Sequence, residues 1–258
     1  MMSKFNSYLY FFLKSTNQHG VHSPFVFDLV TKCFYKKNNT TKSNIIKLYK
    51  NKLLQNKNKI KVTDFGAGSK VFKSNLRAVN KIAKYAGINS KRANLLSKIT
   101  NYFQPKTILE IGTSLGIGTA ALHIGNPNAK ITTLEGCKNT ANVAKKQFNK
   151  FTFNNIDVVV GEFSESQKKL TFKNDLDLVY FDGNHQKEAT LKYFHYCLQF
   201  INNDSVFIFD DIHWSKEMEV AWQEIKNHPQ VKVSIDTFQW GIVFFRKEQE
   251  KEHFIIRV

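Results

Sequence analysis

"TILEIGTSLGIGTAAL" occupies residues 107–122. Ile108, Leu109 and Ile111 form a short apolar run that meets Gly112 and Gly116 and then passes into the helix-like "IGTAALHIG". A buried strand delivering a glycine turn to the start of a helix brings backbone N–H groups close to a nucleotide. The turn holds a nucleoside when an acid closes the next strand, where its carboxylate can accept hydrogen bonds from ribose hydroxyls. Glu135 closes that next strand, "KITTLEG" (130–136), about 20 residues downstream as the pattern requires.

A rival glycine stretch, "KVTDFGAGSKVF", lies at 61–72. The chain beyond it, "KIAKYAGINSK", reads as helix and offers no acid, so this stretch fails as a ribose-binding turn. With Lys70, Lys73 and Arg77 it can still present N–H groups and positive charge to an anion. It is expected to fold over the nucleoside pocket as a cap; the plainer reading is a loop between helices.

Downstream of Lys106, "KTILEIG", "KITTLEG", "IDVVVGE", "LDLVYFDG" and "SVFIFDDI" alternate with helix-length amphipathic segments. Continuous apolar strands separated by helices imply a parallel sheet covered on both faces. The last two strands, "VKVSIDTFQ" and "GIVFFRK", have no helix between them, and Gly241 is expected to permit a tight antiparallel reversal. Upstream, "SKFNSYLYFFLKS", "SPFVFDLVTKCFYKK" and "IIKLYKNKLLQNKNK" read as helices, with Ser23 capping the second ahead of Pro24. Residues 74–86 and 90–103 also read as helices, the latter capped by Ser90. The expected organisation is a basic, mainly helical N-terminal cap over 1–88 and an α/β domain over 89–258.

Composition sets the outer limits. The 258-residue chain carries 38 Lys+Arg against 21 Asp+Glu, a net +17. Residues 1–105 hold 20 basic and 2 acidic side chains, whereas 106–258 are nearly neutral with 18 and 19. A basic module attracts RNA, an anionic membrane surface or an acidic substrate. The run "YLYFFL" (8–13) is too short to span a bilayer and no cleavage site follows it. Three scattered cysteines, Cys33, Cys137 and Cys197, argue against zinc or a disulfide framework. A cytoplasmic protein is expected, with a peripheral place at the inner membrane as a variant.

With these residues in place, the chain resembles class I S-adenosylmethionine-dependent methyltransferases. "LEIGTSLGIGT" looks like the family's first motif and "TLEG" like its second. The resemblance covers about residues 90–258, and "HGVHSPFVFDLVTKCF" with "DFGAGSKVFKSN" looks like a bacterial branch of these enzymes. It implies a Rossmann-like, doubly wound seven-stranded sheet of order 3-2-1-4-5-7-6 with strand 7 antiparallel. It also implies S-adenosylmethionine as cofactor, held by Glu110, Gly112, Thr113, Ser114, Gly116, Glu135, Gly136, Gly161, Phe163 and Asp182. Ser164 is expected beside Phe163 near the adenine.

The chain is similar, more narrowly, to catechol-type and caffeoyl-CoA-type O-methyltransferases, where an acid after strand 4 and an acid–amide pair after strand 5 bind a divalent cation. Here Asp182, Asp210 and Asp211 occupy those places, so Asp211 replaces the amide and His185 replaces the family's lysine base. The resemblance thus implies Asp182 and His185 as catalytic residues, and Mg²⁺ or another divalent cation on the three aspartates, with His213 nearby. A second reading makes one of Asp210 and Asp211 the N-cap of "SKEMEVAWQEIK". Trp214 and Trp240 read either as acceptor-pocket walls or as core. His19 and His22 lack local acids and make a poor metal pair.

The function expected is O-methylation of a small-molecule or lipid acceptor. The alternatives are an RNA methyltransferase that grips phosphates through residues 1–105, and a non-catalytic nucleoside-binding protein. A homodimer is compatible with each.

Overall fold

The computed structural model of the chain describes residues 4–63, 72, 74–172 and 176–258. In order, the elements are α1 (Lys4–Lys14), α2 (Pro24–Leu29), α3 (Thr40–Gln55), β1 (Lys59–Lys61), β2 (Leu76–Ala78), α4 (Val79–Tyr85), α5 (Ser90–Phe103), β3 (Thr107–Ile111), α6 (Ile117–Gly125), β4 (Lys130–Glu135), α7 (Lys138–Lys150), β5 (Ile156–Val160), α8 (Phe163–Ser166), β6 (Leu178–Phe181), α9 (Lys187–Cys197), β7 (Val206–Asp210), α10 (Lys216–Asn227), β8 (Val233–Asp236), β9 (Trp240–Phe244) and β10 (Glu252–Ile255). The chain divides into two compact units, Lys37–Thr171 and Met1–Lys36 with Phe172–Val258. That division is spatial; the boundary at residue 88 concerns sequence and stays a proposal.

In the Lys37–Thr171 unit, β3, β4 and β5 pair in parallel in the order β5-β4-β3, with Ile108 opposite Ile131 and Ile131 opposite Ile156. The middle of β3 is buried without alternation, as a strand covered on both faces must be. α3 belongs to this unit. Asn39 caps it by accepting from the Lys42 N–H, and Ile46, Tyr49 and Leu53 form its buried stripe. Lys42 Nζ donates to the carbonyl of Gly125 at the end of α6, and Lys50 Nζ donates to that of Ile88. Part of the basic excess therefore satisfies carbonyls, Lys42 at a helix C-terminus where a cation is favoured.

Residues 74–86, read as one helix, are instead a bend, the strand β2 and the helix α4. β1 and β2 form an antiparallel pair with Ile60 opposite Arg77. The cap of α5 is Asn89, which accepts from the Arg92 N–H, so Ser90 is the first helical residue and not the cap. The expected cap turn, Asp64–Lys70, lies outside the described residues.

In the other unit the strand order is β10-β8-β9-β7-β6. β6 and β7 are parallel, and β9 is antiparallel to both β7 and β8, as the final pair was expected to be. Gly241 does not make the reversal: it lies within β9, where a Cβ would come within 2.5 Å of the Trp222 ring. The turn falls at Thr237–Gln239, with Phe238 at φ 68°. The seven expected strands appear in matching order, β5-β4-β3 in one unit and β6-β7-β9-β8 in the other. β10, parallel to β8, is an eighth. The charged run "KEQEKEHF" hid it, since its alternation is short and polar.

Ser23 accepts from the Val26 N–H ahead of Pro24, as expected, and the helix continues past α2 as a π-helical stretch, Val30–Phe34. Cys33, Cys137 and Cys197 are buried, and none forms a disulfide among the described residues. Among the described residues, no helix is long and apolar enough to cross a membrane.

Candidate functional site: a braced glycine turn and two strand-end acids

The turn after β3 is built from backbone that side chains other than glycine tolerate poorly. Gly112 sits at φ 105° and Gly116 at φ 76°. The N–H groups of Gly112 and Thr113 both donate to the Leu134 carbonyl, at 3.0 and 3.1 Å, which ties the turn to β4. At Gly116 a Cβ would come within 2.4 Å of Phe148 Cζ and 2.8 Å of the Tyr49 hydroxyl. The glycine thus meets both demands, a left-handed φ and a close approach.

Glu135, at the end of β4, grips the turn directly. Its Oε2 accepts from the Ser114 N–H at 2.8 Å and its Oε1 from the Cys137 N–H at 2.9 Å. Its own carbonyl accepts from the Gly161 N–H at 3.0 Å, so the end of β5 is tied in, with Gly161 at φ 142°. Gly136 follows, half-buried. The expected residues Gly112, Thr113, Ser114, Gly116, Glu135, Gly136 and Gly161 therefore come together at one edge of β3, β4 and β5. Phe163 opens α8 and is buried.

Glu110 occupies a different position. It is fully buried, and its Oε2 accepts from Thr133 Oγ1 at 2.5 Å and from Thr119 Oγ1. Thr113 Oγ1 lies 2.6 Å from Thr133 Oγ1. Either hydroxyl of that pair can be the donor. Burial raises the Glu110 carboxyl to about 8, against the lowering effect of the two threonine bonds and with a smaller upward push from Glu135. Glu110 braces the turn from behind and shows no exposed surface to a ligand.

Sequence reasoning missed Tyr49. Its ring is fully buried and stacks between Phe148 and Phe153, and its hydroxyl donates to the Leu115 carbonyl at 3.0 Å. An N-terminal helix thus props the glycine turn. The only signal was a tyrosine on the apolar stripe of α3, which does not distinguish a prop from ordinary core.

The strand-end acids of the other unit form a second group. Asp182 follows β6, and His185 Nε2 lies 3.9 Å from Asp182 Oδ1. Asn184 and His185 both hold positive φ, 71° and 44°. Asp210, only 4% exposed, ends β7; its Oδ1 accepts from the Asp211 N–H at 3.0 Å, and Asp211 itself sits at φ 54°. Asp182, Asp210 and Asp211 do not converge: among the described residues no group of three or more His, Cys, Asp or Glu is arranged to hold a metal. The expected cation set does not fit this geometry. Nor does Asp210 or Asp211 cap α10, since Ser215 accepts from the Met218 N–H there.

The hydrogen-bond partners of His213 are Glu219 and Asp236, not Asp182, Asp210 or Asp211. Its Nδ1 is 3.1 Å from Glu219 Oε1 and its Nε2 is 2.9 Å from Asp236 Oδ2. Burial alone would lower its pKa, but the bonds and charges of Asp236 and Glu219 outweigh that and raise it. Trp240 is buried beside Tyr180 and belongs to the core, Trp214 is half-buried, and His19 and His22 are exposed.

Comparison with known proteins bears on this arrangement. A family model described as a methyltransferase domain matches residues 109–212, which include the glycine turn, Glu135, Asp182 and Asp210. A search of curated proteins finds no match. Among solved structures, a SAH-bound methyltransferase from Podospora anserina is similar with TM-score 0.61 and 13% identity, over 88% of this chain and 97% of that one. An O-methyltransferase from Bacillus cereus in complex with SAH is similar with TM-score 0.55 and 16% identity, over 86% and 97%. The O-methyltransferase TomG from Streptomyces achromogenes, in complex with SAM, is similar with TM-score 0.55 and 16% identity, over 63% and 82%. Residues 109–212 are therefore similar to a methyltransferase domain, and the fold of the chain is that of class I methyltransferases.

Proposed function

We propose that the chain transfers the methyl group of S-adenosylmethionine to a hydroxyl of a small-molecule or lipid acceptor. The observation that carries this reading is the Glu135 carboxylate. It is fixed at the end of β4 by the Ser114 and Cys137 N–H groups, beside a turn in which Gly112 and Gly116 hold positive φ. A carboxylate in that place accepts from ribose hydroxyls, and the glycine backbone lets a nucleoside approach closely. Gly136, Gly161 and Phe163 complete the surface for the adenosyl group, while Glu110 and Thr113 hold the turn rigid from behind.

S-adenosylmethionine supplies a methyl already activated on its sulfonium, so the chain has to align the acceptor and remove its proton. We assign proton removal to His185, whose Nε2 lies 3.9 Å from Asp182 Oδ1, because an imidazole nitrogen can act as a general base. No step is routed through a metal, because the three aspartates do not form a ligand set. The preference for oxygen as acceptor draws on the Bacillus and Streptomyces proteins, both O-methyltransferases.

The test is to incubate the purified chain with methyl-labelled S-adenosylmethionine and fractionated cell extract. Alkali-stable label in small-molecule or lipid fractions, absent with His185→Ala, supports the proposal. Label confined to RNA, or cofactor binding with no transfer to any fraction, overturns it.

A further inference from the structure

α1 is apolar on two opposite faces, and only one is buried. On the inner face Phe11 is buried, with its ring 5.4 Å from Phe238. Tyr8 meets the same ring edge-on at 5.0 Å, and Ser7 Oγ donates to Glu219 Oε1 at 2.7 Å. Leu9, Phe12 and Leu13 stand at i, i+3 and i+4 on the opposite side, 47%, 51% and 72% exposed, flanked by Tyr10 at 53%. A water-facing helix stripe is normally polar. Basic groups edge this one: Lys14 ends the helix exposed, and the Arg257 guanidinium lies 5.5 Å over the Phe12 ring. Residues 1–36 hold four lysines and a single acid, Asp28, which is already paired with Lys32.

We infer that α1 is an interfacial helix that lays Leu9, Phe12 and Leu13 into the surface of an anionic lipid bilayer. The 11-residue helix is about 16 Å long, far short of a span, and helices of this kind lie in the interface plane with their apolar face among the acyl chains. Tyr10 and Phe12 suit headgroup depth, and the cations favour anionic headgroups.

Charge and area decide against the other occupants. A second copy would set one +17 chain against another, on a patch of roughly 16 by 10 Å, when a stable interface needs about 800 Å² per partner. Single-stranded RNA is gripped by planar rings along a basic groove, whereas two of the three residues of this stripe, Leu9 and Leu13, are aliphatic and offer no face for base stacking. The inference does not depend on the methyl-transfer reading.

The experiment is co-sedimentation of the full chain with vesicles of pure phosphatidylcholine and of phosphatidylcholine with phosphatidylglycerol, at low and high salt. Binding is expected only to the anionic vesicles and should weaken with salt. Leu9→Glu with Leu13→Glu should lower it at least tenfold. Both side chains are exposed, so the melting temperature should be nearly unchanged. As an independent reading, Leu13→Trp should give a blue-shifted emission on adding anionic vesicles. Equal binding by the double variant, no binding to anionic vesicles, or no spectral shift would overturn the proposal. A dimer that Leu13→Glu dissociates would also overturn it, in favour of self-association.

Discussion

Replacing Gly116 by alanine tests the physical basis of the turn. The new Cβ would sit 2.4 and 2.5 Å from two atoms of the Phe148 ring and 2.8 Å from the Tyr49 hydroxyl, well inside contact distance. Neither ring can swing away easily, because Tyr49 is fully buried and stacked on both Phe148 and Phe153. The left-handed φ of 76° costs about 1–2 kcal/mol for a residue with a Cβ, and overpacking costs about 1–3 kcal/mol more. The expected destabilisation of about 2–5 kcal/mol corresponds to a melting temperature lower by roughly 4–20 °C for a chain of this size. Phe148→Leu removes the ring atoms that clash. The double variant should recover the steric part, giving a favourable coupling of about 1–2 kcal/mol in a double-mutant cycle read by thermal or urea unfolding. A Gly116→Ala variant that melts with the wild type, or losses that simply add in the double variant, would refute this account of the turn.

Two further predictions follow from the charged groups. Between about pH 4.5 and about 8 the folded chain keeps the Glu110 proton that the unfolded chain has lost. Its contribution to stability therefore falls as pH rises through that window, by up to about 1.4 kcal/mol per pH unit, and levels off above it. Glu110→Gln should flatten this slope in urea melts at a series of pH values, and an unchanged slope would show that the carboxyl does not hold the proton. His185→Ala is expected to lower kcat by about 10²–10⁴ once an acceptor is in hand, with affinity for S-adenosylmethionine unchanged. An equal loss of cofactor affinity would make His185 a binding residue instead of a base.

Much of this molecule was legible in the sequence because it depends on local patterning. The β3 turn, the closing acid Glu135 and the antiparallel last strands all follow from apolar runs and glycines within short windows. What stayed hidden depends on contacts distant in sequence. Nothing local to Tyr49 shows that its hydroxyl reaches Leu115, 66 residues on, and nothing local to Glu110 shows that Thr133, 23 residues on, will donate to it. Strand–helix boundaries failed where tertiary pairing overrode helical propensity, as at β2 opposite β1. The metal set failed for another reason. Spacing puts Asp182, Asp210 and Asp211 at strand ends, but it does not fix where their oxygens point, and the Asp211 backbone turns at φ 54°.

The most direct measurement is calorimetric titration of S-adenosylhomocysteine into the wild type and into Glu135→Ala. A carboxylate that accepts ribose hydroxyls and also fixes the Ser114 N–H makes hydrogen bonds to a charged group, worth about 1.5–3 kcal/mol each. The account predicts at least a tenfold weaker Kd in a variant that still folds. Wild-type affinity in Glu135→Ala would contradict it, because the nucleoside would then be held somewhere other than at the edge of β3 and β4.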